Sequence, residues 1–82
     1  MAVEQHIATW EACLQVIKRS IEPQQFATWF KPLRPVALEG STLTIEVPSD
    51  YFREYIESTF LELLCKVLRD HLGPDARLRY RS

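Results

Sequence analysis

Five prolines set the places where this 82-residue chain cannot continue as regular structure. Proline lacks a backbone N–H, and it disfavours helical angles in the residue before it. Prolines stand at positions 23, 32, 35, 48 and 74. Between them the apolar residues change period, so each interval reads as a different element. Before Pro23, the residues Val3, Ile7, Trp10, Leu14, Ile17 and Ile21 recur at alternating steps of four and three, with Cys13 beside them. That is one face of a helix running from about Val3 to Ser20. Pro23 suits the first turn of a second helix. Phe26, Trp29, Phe30 and Leu33 keep helical spacing. Pro32 and Pro35 stop this helix near Lys31 and leave residues 31–35 as an extended connector.

The middle of the chain switches to a period of two. Leu43, Ile45 and Val47 alternate with Thr42, Thr44 and Glu46, as in a strand with one buried face. Val36 to Glu39 precedes it, and Gly40-Ser41 between them suits a tight turn of the primed type. Pro48-Ser49-Asp50 ends the hairpin and opens a third helix. Ser49 is placed to cap the free amides of its first turn. Asp50, Glu54 and Glu57 come early, while Lys66, Arg69 and His71 come late, an order that complements the helix dipole. Gly73-Pro74 stops this helix after His71. Ala76, Leu78 and Tyr80 then alternate with Arg77, Arg79 and Arg81, which predicts a final strand. The order is α-α-β-β-α-β. It describes an α+β domain with helices packed on one face of a three-stranded sheet. The arginine alternation implies that the other face is uncovered. The whole chain forms one domain, with an ordered core over about residues 3–80.

Composition narrows the function. Ten Lys and Arg against eleven Asp and Glu give a net charge of −1, so no global field favours nucleic acid or a membrane. No apolar run approaches a membrane span, and the N-terminus lacks the basic and apolar segments of a secretory signal. Two cysteines do not make a disulfide framework. These features together predict a cytoplasmic protein. His6 and His71 lie far apart, and neither has another ligand at metal spacing. The two glycines lie in no phosphate-cradling loop, and no Ser or Cys stands in a nucleophile motif. The expectation is no enzyme, no metal and no cofactor.

Three surface features stand out. On the third helix, Phe52, Tyr55, Ile56, Thr59, Phe60, Leu63, Leu64 and Val67 converge on one side as core, with the Tyr55 hydroxyl at its margin. Tyr51, Leu61 and Cys65 fall on a different flank, which reads either as a contact patch or as packing under a neighbouring element. On the second helix, Phe26, Trp29 and Phe30 read as core, and Gln24 and Gln25 as exposed. The row Arg77, Arg79, Arg81 reads either as protection of a sheet edge or, with Lys31 and Arg34, as a phosphate contact. No aromatic shares that face to stack on bases.

The joint order of several marks resembles a known family. These are Trp10 with Cys13-Leu14, then Gln25-Phe26-x-x-Trp29-Phe30-x-Pro32-Leu33, then Gly40-x-x-Leu43. Val47-Pro48-Ser49 leading into Tyr55-Ile56-Glu57 completes them. Over residues 8 to 80 the chain is similar to the N-terminal domain of the bacterial replication initiator DnaA. The resemblance implies a KH-like fold. It also implies a protein-interaction module for weak self-association, for recruiting the replicative helicase and for docking regulators of initiation. Weak contact with single-stranded origin DNA is implied as well, and Arg77 and Arg79 are the residues here suited to it. The chain is then an isolated domain of a longer initiator or a stand-alone relative, since full-length members continue into an ATPase domain and a helix-turn-helix domain.

The resemblance also assigns residues. Trp10 matches the aromatic used for self-association, although its place in the stripe marks it as core; a Trp buried along one edge and exposed along the other reconciles the two. Gln25 matches a position of helicase contact where other members can carry Glu. Tyr51 matches an exposed aromatic used for helicase and regulator docking, with Ser49 beside it.

Overall fold

The computed structural model describes residues 4–82. Six elements follow in the expected order: α1 (Gln5–Ser20), α2 (Pro23–Trp29), β1 (Arg34–Glu39), β2 (Thr42–Glu46), α3 (Asp50–Leu72) and β3 (Arg77–Arg81). Val3, the expected start of the first helix, lies outside the described residues. The sheet order is β1-β2-β3. β2 runs antiparallel to β1 and parallel to β3, so α3 is the crossover between parallel neighbours.

The hairpin carries one correction to the sequence reading. Residues 31–35 are not all connector, because Arg34 and Pro35 already pair with Glu46 and Ile45. The register shifts between Pro35 and Ala37, which places a bulge at Val36. Proline is tolerated there because β1 is an edge strand and the bulge relaxes the ladder. At the turn, Gly40 has φ +60° while Ser41 has no positive φ. That excludes a type I′ turn and fits the first central position of type II′.

The central strand anchors the core. Leu43 and Ile45 are fully buried, and Trp10, Cys13, Ile17, Phe30, Ile56, Leu64 and Val67 close over them. The helices therefore cover one face, and β3 turns Arg77, Arg79 and Arg81 outward. In α1 the buried residues are Trp10, Cys13 and Ile17, whereas Ile7 is 37% exposed. The stripe was expected to bury Ile7, but the buried face is rotated towards Cys13. In α3, Ile56, Phe60, Leu64, Val67 and Leu68 are buried. Leu68 was missed by the sequence reading. Thr59 is exposed, and Phe52 and Leu63 are only half-buried. α2 ends two residues sooner than expected, at Trp29, and Phe30 forms its C-cap, donating its N–H to the Phe26 carbonyl.

Candidate functional site

α2 has seven residues and ends on Trp29. The start of α3 lies against that ring. Ser49 caps α3 by accepting a hydrogen bond from the Phe52 N–H at 3.4 Å, and Asp50 places a carboxylate in the first turn. The cap fixes the direction in which Tyr51, Phe52 and Tyr55 leave the helix. All three meet Trp29. Tyr55 stacks on it at 3.8 Å between centroids with 11° between planes. Phe52 is tilted against it at 5.0 Å, and Tyr51 at 6.1 Å. Behind them Tyr55 meets Phe60 edge-on, and Phe60 meets Phe30. A continuous aromatic chain thus runs from the core to the surface. It ends at Tyr51, which is 65% exposed. An aromatic supported on one side and wet on the other is suited to be an anchor for a partner.

Gln25 lies one turn before Trp29 on α2. Glu22, Gln24, Gln25, Thr28 and Trp29 line a shallow cleft, so Trp29 joins Gln25 on one side to Tyr51 on the other. Gln25 is half-buried rather than exposed as expected, and its Oε1 is buried with no hydrogen-bond partner among the described residues. A buried unpaired carbonyl is costly, about 1–3 kcal/mol. Glu22 is exposed and brings a carboxylate into the cleft where Gln25 has none. Trp29 is the residue the sequence reading missed: its helical spacing marked it as core. Its half-burial is set by packing against the aromatics of α3, which the spacing within α2 alone does not show.

Trp10 does not belong to this surface. It is 1% exposed, and its Nε1 is buried without an acceptor among the described residues. The expectation that one edge of the indole is exposed for self-association is therefore corrected. The adjoining Cys13 and Ile17 are equally buried, so α1 offers no opening over the ring. Burial pushes the Cys13 thiol up to about 11.

Arg77 and Arg79 sit on the opposite, outward side of the sheet. Their cross-strand neighbours are Thr42 and Thr44. In the last row, Glu46 lies between Arg34 and Arg81 and offsets their charge. The structure also separates the flank formed by Tyr51, Leu61 and Cys65. Tyr51 joins Trp29, whereas Leu61 and Cys65 face a groove beside β3.

A family model described as DnaA N-terminal domain matches residues 8–75. The chain belongs to the DnaA N-terminal domain family. It is 42% identical over 73 residues to the chromosomal replication initiator protein DnaA of Porphyromonas gingivalis, covering 89% of this chain and 15% of that protein. The corresponding protein of Chlorobaculum tepidum is 46% identical over 71 residues, covering 87% of this chain and 14% of the relative. That of Bacteroides fragilis is 35% identical over 80 residues, covering 98% and 17%. The chain thus spans about a sixth of the length of these relatives. The match to the DnaA N-terminal domain family contains Gln25, Trp29, Ser49 and Tyr51 together. Among the described residues of this DnaA N-terminal domain no group of His, Cys, Asp and Glu could hold a metal ion, and no helix is long and apolar enough to cross a membrane.

Proposed function

We propose that this domain is a protein-docking module of a cytoplasmic replication initiator, not an enzyme. The replicative helicase and regulators of initiation are its partners, and they bind over Tyr51, Trp29, Ser49 and Gln25. The observation that carries this reading is the exposed Tyr51 ring held against Trp29 at the capped start of α3. The two rings present a rigid apolar edge at low entropic cost, since Trp29 is already fixed by Tyr55. Glu22 in the cleft and Asp50 beside Tyr51 give that edge an acidic rim, suited to a basic helicase surface. Gln25 contributes a neutral amide rather than a charge.

Weak self-association belongs to the same reading, in the micromolar range or weaker, about 8 kcal/mol or less of binding free energy. Many such contacts become effective when DNA lines up whole molecules. Trp10 is not among the contacts. The test is an NMR titration of the labelled domain with the replicative helicase of the same organism. Shifts should cluster on Tyr51, Ser49, Gln25 and the Trp29 indole. Shifts confined to other surfaces, or none, would refute the docking face.

A further inference from the structure

β3 is an edge strand, and among the described residues no strand pairs with its open side. The Arg77 N–H donates to the Ser41 carbonyl at 2.9 Å, and the Arg81 carbonyl accepts from the Val47 N–H at 2.8 Å. Backbone groups alternate sides along a strand. The N–H and C=O groups of the intervening Leu78 and Tyr80 therefore point away from β2, to the open edge. Beside that edge runs a groove whose far wall is α3. Leu61, Cys65 and Leu68 line one side, and Leu78 and Tyr80 the other. Leu61 is 52% exposed there. Above the edge, Arg77, Arg79 and Arg81 form an outward row at every second residue. Of the charged residues lining the groove, those on β3 itself, Arg77 and Arg79, are all cations, while Glu57 and Arg69 stand on α3 and Glu39 on β1.

We propose that this edge and the facing side of α3 form a strand-addition site for an extended peptide in which aliphatic and acidic residues alternate. An added strand continues the pleat. Side chains beside Leu78 and Tyr80 enter the groove against Leu61 and Cys65, and the intervening ones lie beside the arginines. The open edge spans about 16 Å, enough for five residues. A nucleic acid does not match the free donors and acceptors of Leu78 and Tyr80, and the outward face has no aromatic for base stacking. A second copy of β3 in the same place would set arginine rows side by side, which is unfavourable. The site is on a different surface from Tyr51, so its failure leaves the helicase reading standing, and the reverse.

The test uses the 15N-labelled chain and a capped hexapeptide of alternating glutamate and valine at millimolar concentration. The amides of Leu78 and Tyr80 should shift and exchange more slowly with solvent, and alkylation of Cys65 should slow. Replacing glutamate by lysine, or methylating every peptide amide, should abolish these effects. Arg79→Glu and Leu61→Glu should each weaken binding about tenfold or more, with circular dichroism and the signals of the Tyr51 face unchanged. No shift at Leu78 and Tyr80, or equal binding of the lysine or methylated peptide, overturns the proposal. So do the same shifts produced by oligothymidylate alone, or by raising the concentration of the chain without peptide.

Discussion

The two tryptophans occupy comparable places in the sequence and opposite places in the fold. Each lies on the apolar face of a helix, and each reads as core from spacing. Trp10 stands mid-way along the sixteen-residue α1, with helix on either side, and α1 is pressed against α3 and β1. It is 1% exposed. Trp29 closes the seven-residue α2, and three aromatic side chains of α3 lie against its ring, which is only half-buried. Position within an element does not by itself set burial, since Phe30 at the C-cap of α2 is fully buried; the two tryptophans differ in what packs over them. The buried ring stabilises the domain; the half-buried one holds an exposed neighbour in place.

The largest expected effect breaks the buried side. Trp10→Ala should cost about 3–5 kcal/mol, the usual range for deleting a large buried aromatic. Chemical denaturation should show this directly, and the variant should lose self-association only in proportion to unfolding. A loss of association with unchanged stability would return Trp10 to an interface. Cys13, one helical turn on, reports the same region. Its pKa, raised from 9.0 to about 11, favours the neutral thiol in the folded state. The stability it contributes is complete below pH 9 and is lost as pH rises through 11. Alkaline titration of the folding free energy should fall in that window, and Cys13→Ser should flatten the fall. At neutral pH a thiol reagent should modify the half-buried Cys65 well before Cys13.

On the other side of the comparison, Trp29→Ala should cost less, about 2 kcal/mol, from half the burial of a large side chain and three aromatic contacts. It should also free Tyr51, so partner binding weakens even after correction for the folded fraction. A cost equal to that of Trp10→Ala would erase the distinction between the two rings. Ser49→Ala removes the cap of α3 and should cost about 1 kcal/mol by thermal melting. Ser49→Asp, which keeps an acceptor for the Phe52 N–H, should restore most of it.

The element order, the hairpin and the outward arginine row were legible because periods of two and 3.6 survive in single segments. What was not legible depends on contacts between segments. Pro35 looked like a connector because its bulge is set by the pairing of β1 with β2. Ile7 fits the stripe, yet it is 37% exposed. Tyr51, Leu61 and Cys65 share a flank of α3, but α2 and β3 divide that flank between two surfaces. Gln25 appeared free because the cleft formed with Trp29 is a tertiary feature. Family resemblance assigned Gln25 to helicase contact and Tyr51 to helicase and regulator docking. It also assigned Trp10 to a surface, where the local stripe had already placed it in the core.

The smallest change in stability should come from Tyr51→Ala. Its ring is mostly in water, and its contact with Trp29 is tilted rather than stacked. Exposed substitutions of this kind shift stability by about 0.5 kcal/mol or less. Tyr55 and Phe52 still hold Trp29, so the indole signals should move little. Binding is where the variant should differ. An anchor at the centre of a docking face costs about 1.4 kcal/mol or more on truncation, a tenfold loss of affinity. Tyr51→Phe keeps the ring and removes the hydroxyl, so it separates apolar contact from hydrogen bonding. Full retention of helicase affinity in Tyr51→Phe with loss in Tyr51→Ala assigns the contact to the ring edge supported by Trp29. Equal loss in both assigns it to the phenol. Unchanged affinity in both removes Tyr51 from the docking face and leaves Trp29 as a core residue at the end of a short helix.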